Sequence, residues 1–171
     1  EVGGGFTHIF SDELEGEIGL GYSYSEIDDA FGSRTIEQIF APAKLRWDTR
    51  DDPLDANHGV YIGLEATGFV GLSGGGNGTR LYADARAYRT IGAKDGLTFA
   101  ARAQVGTVNG ASTAAVPPGL LFFSGGPDTV RGHPYQSLAV TLPGGQRVGG
   151  RSFMGFSGEV RADINDTFQI V

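Results

Sequence analysis

A chain of 171 residues with a net charge of −7 can bury one core, but it offers no basic stripe for a phosphate backbone, so nucleic acid is excluded as a partner. Cysteine is absent, which excludes a disulfide framework and a thiolate metal site. The 29 glycines keep no three-residue period and lie among aromatic and β-branched residues, a mixture that suits strands and tight turns rather than helices.

In chain order, residues 1–10 are glycine-rich and fit no single period. Ser11-Asp12-Glu13 reads as a short turn. Beyond it, Ile18, Leu20, Tyr22 and Tyr24 share one face, opposed by Glu15, Glu17, Ser23 and Ser25. Residues 27–33 read as a glycine-bearing loop. Ile39, Ala41, Ala43, Leu45 and Trp47 then oppose Gln38, Lys44 and Arg46, and residues 48–58 form a link. Alternation is cleanest next: Val60, Ile62, Leu64, Ala66, Val70 and Leu72 against Tyr61, Gly63, Glu65 and Thr67. After the Gly74–Gly78 tract, Leu81, Ala83, Ala85, Ala87 and Ile91 oppose Arg80, Tyr82, Asp84, Arg86 and Tyr88. Arg89 interrupts the apolar face near a strand end, where its head can reach an interface. A short turn at Ala93-Lys94-Asp95 leads to Leu97, Phe99, Ala101, Ala103 and Val105, opposed by Thr98, Arg102 and Gln104. A long loop at 110–150 precedes Met154, Phe156, Val160, Ala162 and Ile164, opposed by Ser157, Glu159, Arg161 and Asp163.

These segments predict about seven strands plus the start of another, each of about 10–14 residues, a length that suits tilted membrane strands. Short turns fall on one end and long loops on the other, as in transmembrane barrels, although the link at 48–58 is long for the short end. Alternation alone also fits a soluble β-sandwich binding module, whose strands average about 5–6 residues. The expected fold is all-β: an antiparallel up-and-down sheet whose alanine- and leucine-bearing faces meet lipid and whose charged faces line a wet interior, with Val60–Leu72 and Leu81–Ile91 as neighbours. The chain opens within strand-like sequence, has no signal peptide and no apolar run of about 18 residues, and stops in a rising strand at Thr167–Val171, so it reads as an excised fragment without a transmembrane helix.

Three stretches carry a resemblance. Asp48-Thr49-Arg50-Asp51-Asp52-Pro53-Leu54-Asp55 with Gly59 looks like a D-x-R-D-x-P link. Phe122-Phe123-Ser124-Gly125-Gly126 followed by Val130-Arg131-Gly132-His133 looks like the signature of a long extracellular loop. Gly149-Gly150-Arg151-Ser152 with Glu159-Val160-Arg161 looks like the strand after it. In order and spacing the three resemble the BamA/TamA-type assembly factors of the bacterial surface-antigen superfamily, and Tyr135-Gln136-Ser137-Leu138 is closer to the TamA branch.

The resemblance implies that residues 1–171 form a partial transmembrane β-barrel domain, about half of a sixteen-strand barrel in the bacterial outer membrane. The 110–150 loop would face outside and residues 48–58 the periplasm. It implies insertion or export of other envelope proteins without ATP, with outer-membrane lipid, client β-barrel or autotransporter proteins and a periplasm-spanning partner as partners. It also implies that the loop folds into the lumen, where Arg131 in the Val130-Arg131-Gly132-His133 motif pairs with acids of the inner wall. Glu159 and Asp163, with Arg161 beside them, are the candidate lumen partners, since a guanidinium inside a narrow lumen needs carboxylates. His133 departs from the usual aromatic, and the family's acid on a later strand lies beyond Val171.

Nothing in the sequence points to catalysis or a cofactor. Gly74-Gly75-Gly76-Asn77-Gly78 lacks the lysine of a phosphate loop. His8, His58 and His133 have no ligand spacing, and Pro53 breaks the acidic run at 48–55 as a calcium loop. Two other functions stay open beside assembly: a passive porin-like channel or surface antigen, and the soluble binding module. A cut barrel exposes strand edges and an apolar face, so the isolated chain is expected to self-associate.

Overall fold

The computed structural model describes residues 1–92, 96–126, 129–165 and 168–170, with side chains through Ala162 and at Ile170. The expected turn Ala93–Asp95 and the side chains of Asp163 and Ile164 lie outside what is described. Among the described residues there are ten strands: β1 Val2–Ile9, β2 Leu14–Asp29, β3 Gly32–Asp48, β4 His58–Ser73, β5 Gly78–Ile91, β6 Leu97–Gly110, β7 Val140–Thr141, β8 Arg147–Val148, β9 Ser152–Asn165 and β10 Phe168–Ile170. Eight of them form one sheet in the order β1-β2-β3-β4-β5-β6-β9-β10, every pair antiparallel, while β7 and β8 make a separate hairpin inside the long connection. Nearest neighbours in sequence are nearest neighbours in space, the up-and-down arrangement that hairpin-linked strands adopt.

Long strands form because β-branched, aromatic and small residues alternate with polar ones over 14 to 17 residues in β2–β6 and β9. Val60–Leu72 and Leu81–Ile91 are neighbours as expected, with Val60 opposite Ala87 and Ala66 opposite Leu81. Two local readings needed correction. Residues 1–10, which fit no period, form β1 against β2, with Val2 opposite Tyr22 and Ile9 opposite Glu15. Residues 27–33, expected as a loop, are mostly strand, leaving only Ala30 and Phe31 at the turn. The hairpin tightens there because Asp29 accepts the Phe31 backbone N–H at 2.8 Å and pairs with Arg34 from the returning strand.

The sheet has two unlike faces. On one, Ile18, Leu20, Ile39, Leu45, Leu64, Leu81, Val105, Met154 and Phe156 stand exposed in side-by-side rows across six strands. So large an apolar area on a water-facing sheet would be a site of aggregation or membrane contact. Aromatic residues bracket it: Trp47, paired with Leu14, marks the short-turn end, and Tyr24 the other. Ten residues of β2 separate Leu14 from Tyr24, about 33 Å along a strand and about 25 Å normal to a bilayer crossed at ~40°, the height of an outer-membrane apolar band.

The opposite, inner face carries Glu15, Glu17, Lys44, Arg46, Glu65, Arg80, Asp84, Arg86, Arg102, Glu159 and Arg161. It is also where the core sits. Phe69 and Val108 of the wall bury against Ala111, Val116, Leu121 and Phe122 of the long connection, with Phe40, Tyr82 and Phe153 packed around them.

Candidate functional site

The connection between β6 and β9 is not a solvated loop. Two 3-10 turns, Thr113–Ala115 and Pro118–Leu120, turn the chain back onto the inner face, and Gly76 N–H donates to Ala115 O at 2.9 Å to hold the first of them. Phe122 and Gly150 exchange both backbone hydrogen bonds, at 2.9 and 2.7 Å, and so do Ser124 and Leu138, at 2.9 and 2.8 Å. Arg151 anchors the return by donating from its guanidinium to Val108 O at 3.1–3.2 Å. Paired backbone thus satisfies the loop's own polar groups, while the loop meets the wall through Arg151 and a buried apolar patch.

At the tip, Val130-Arg131-Gly132-His133 forms an exposed turn closed by His133 N–H on Val130 O at 3.4 Å, while Gly126 N–H donates to His133 O at 3.0 Å. Arg131 Nη1 reaches Glu159 Oε2 of β9 at 3.2 Å, although the arginine side chain is still 76 % exposed. Ion pairs that exposed contribute about 0–1 kcal/mol. The buried apolar patch therefore outweighs the Arg131 pair in holding the loop. Arg161 does not pair with Arg131; it lies on the far side of Glu159, with its Nε 2.5 Å from Oε1. A cavity of about 500 Å³ between the tip and β5, β6 and β9 is lined by Arg86, Tyr88, Arg102, Arg131, Glu159 and Arg161.

Sequence reasoning placed Asp84, Arg86 and Arg102 on the wet face but did not bring them together. Arg86 and Arg102 are direct cross-strand partners, and Asp84 takes hydrogen bonds from both, at 2.8 Å from each Nη2. Like charges directly opposite destabilise a sheet, so the carboxylate is what lets the two guanidinium groups coexist. The signal was present in the sequence as Asp84 and Arg86 two apart on one face; the third member needed the register.

Residues 48–58 build the second feature. Asp48 receives a two-pronged hydrogen bond from Arg50, Nε at 2.8 Å and Nη2 at 2.7 Å, and Arg50 Nη1 closes on Pro53 O at 3.0 Å. Asp52 Oδ1 accepts the Leu54 and Asp55 N–H groups, and Asp51 Oδ1 those of Asn57 and His58. The His58 and Asn57 N–H groups hold the Asp51 carboxyl below its ordinary range. Aspartates thus cap the turn.

The turn also folds under the wall. Ala56 is buried, Asn57 Oδ1 accepts from the equally buried Thr98 hydroxyl at 3.1 Å, the Thr90 hydroxyl donates to Asn57 O at 3.1 Å, and Arg161 Nη1 reaches Asp55 Oδ1 at 2.9 Å. Contacts with β5, β6 and β9 were not foreseen. Gly59 closes the turn at φ +104°, where an added Cβ would lie 2.3 Å from Thr49 O. Gly59→Ala is therefore expected to cost about 2 kcal/mol from the left-handed backbone alone, read as a lower urea midpoint in detergent; an unchanged midpoint would show that the turn relaxes freely.

Among the described residues no cluster of three or more His, Asp or Glu is placed to hold a metal. A larger apolar hollow, lined by Phe6, Ile18, Leu45, Leu64, Leu81 and Val105 among others, opens on the outer face away from all of this chemistry. No curated protein matches the chain. The family model described as the Omp85 superfamily domain matches residues 2–171. With an all-β, up-and-down sheet apolar on one face and loop-bearing on the other, the chain belongs to the Omp85 superfamily.

Proposed function

We propose that this chain is about half the wall of a sixteen-strand outer-membrane barrel, in a factor that inserts or exports other envelope proteins without ATP. Members of the superfamily are bacterial outer-membrane proteins that work in assembly and secretion, together with client and partner proteins. In this reading lipid covers the outer apolar rows, the short-turn end faces the periplasm and the 111–151 connection faces outward. The aromatic residues about 25 Å apart along the membrane normal support a sheet that spans the apolar layer. The continuation Tyr135-Gln136-Ser137-Leu138 favours the TamA-like branch, with β-barrel or autotransporter clients and a periplasm-spanning partner.

The observation that carries the reading is the long loop seated on the inner face, with Val116, Leu121 and Phe122 buried and the tip at Glu159. A passive channel needs its polar wall open to water, whereas here the loop covers the part of that wall around Phe69, Tyr82, Val108 and Phe153. Arg131, in the Val130-Arg131-Gly132-His133 turn, is the pin of this loop, with Glu159 as its carboxylate. Arg131→Ala in the full-length protein is expected to lower complementation of an assembly mutant by up to about fivefold, in line with the roughly 1 kcal/mol that an exposed ion pair can contribute. Wild-type complementation by a folded Arg131→Ala barrel would overturn it. A large, steady single-channel conductance without complementation would instead identify a porin-like channel.

A further inference from the structure

We infer that Arg161 is a positioning residue that ties the 49–57 turn to the long loop through the single carboxylate of Glu159. The inference rests on the reading of Arg131 as the loop's pin. Four charged groups form an unbroken chain from one end of the barrel wall toward the other: Asp55, Arg161, Glu159 and Arg131, joined at 2.9, 2.5 and 3.2 Å.

The sharing of atoms gives the chain its meaning. Glu159 gives Oε1 to Arg161 and Oε2 to Arg131. Arg161 turns its Nε to Glu159 and its Nη1 outward to Asp55 Oδ1, with Ala56 O at 3.4 Å from the same nitrogen. Its guanidinium carbon lies 5.9 Å from the centre of the Tyr88 ring. Asp55 holds Nη1 and so fixes the Arg161 guanidinium, whose Nε in turn holds Glu159 in the orientation that presents Oε2 to Arg131. Asp55 is itself delivered by the turn, whose Ala56 is buried and whose Asn57 is fixed to Thr90 and Thr98. If the turn shifts, Arg161 moves with Asp55, and the Glu159 carboxylate that Arg161 holds turns away from Arg131. The geometry therefore makes the turn, about 75 residues upstream of the tip, a determinant of the loop's position.

Asp55 suits a test because its side chain is 67 % exposed and its carboxylate does not belong to the buried wall. In the full-length protein in detergent, Asp55→Asn is expected to speed amide hydrogen exchange of residues 129–133 about fivefold or more, the lower end of ordinary coupling between sites. Asp55→Glu, which keeps the carboxylate, restores the wild-type rate. Asp55→Asn combined with Arg131→Gln exchanges no faster than Arg131→Gln alone, because the first change acts only through the second residue. Faster exchange confined to residues 49–58, or additive effects in the double variant, overturns the coupling while leaving the Arg131 pin intact. If Arg131→Gln alone leaves residues 129–133 at the wild-type rate, the pin and the coupling fall together. A heat-shifted band on an electrophoresis gel verifies that each variant is folded before it is compared.

Discussion

Gly106→Val is expected to strip the long loop from the wall while leaving the sheet assembled. Gly106 lies on the inner face of β6, directly between Tyr82 of β5 and Phe153 of β9 in the register. The Phe122 ring of the loop occupies the space its missing side chain leaves: a Cβ there would stand 2.4 and 2.6 Å from two ring carbons. Phe122 cannot slide aside, because it stacks on Tyr82 at 6.2 Å and on Phe153 at 5.9 Å, with the Arg80 guanidinium 4.7 Å from its centre. Overpacking of that kind costs about 1–3 kcal/mol, and losing a buried phenylalanine about 3–5 kcal/mol. Either exceeds the exposed Arg131 pair, so the tip cannot hold the loop once the ring is displaced. Limited proteolysis of the folded barrel reads the effect: cleavage within 111–151 should rise at least about tenfold for a loss of 1.4 kcal/mol or more. Phe122→Ala should loosen the same segment, and Gly106→Ala with Phe122→Leu should cost less than the two changes summed, since the smaller side chain makes room. Wild-type protection in Gly106→Val would refute this socket.

Most of the sheet was legible because period-two patterning is a local signal. Val60–Leu72 and Leu81–Ile91 each show their faces without help from a neighbour, and the register pairs them as the pattern required. β1 was not legible because Gly3, Gly4 and Gly5 have no side chains with which to alternate. The 27–33 hairpin was misread because polar Asp28, Asp29, Ser33 and Arg34 resemble a loop until the Asp29–Arg34 pair is seen across the turn. The functional face was harder for a different reason. Arg131 and Glu159 are 28 residues apart, and Arg161 and Asp55 are 106 apart; no spacing rule reaches that far, and the first pair came only from a family resemblance. One clue was available and unused: Val116, Leu120, Leu121 and Phe122 cluster inside a segment otherwise read as a loop, and so apolar a run would not stay in water.

Asp84→Ala is expected to be the most destabilising single change on the inner wall. The carboxylate is 8 % exposed and lies between Arg86 and Arg102, whose side chains are 30 % and 23 % exposed. Removing it does more than delete two hydrogen bonds. It leaves two guanidinium groups directly opposite each other on adjacent strands, where repulsion adds to the cost of partly desolvated charge. Breaking a buried pair by deleting one partner costs about 3–5 kcal/mol, and partial exposure of the arginines places this case near about 3 kcal/mol. Urea unfolding of the protein in detergent should show a midpoint shift of about 1–3 M for an m-value of 1–3 kcal/mol/M. The cause is separable from simple loss of contacts. Asp84→Asn keeps the shape and one acceptor oxygen, but it loses the charge and sets an NH2 donor against guanidinium donors, so it should stay close to Asp84→Ala. Replacing Arg86 with methionine in the Asp84→Ala background removes one of the opposed charges and should recover more than half of the loss. Arg86 also lies 4.9 Å from the centre of the Tyr61 ring, as Arg50 does, so recovery stops short of wild type. If the double variant is less stable than Asp84→Ala, the trio is held by packing and the electrostatic account of this wall is wrong.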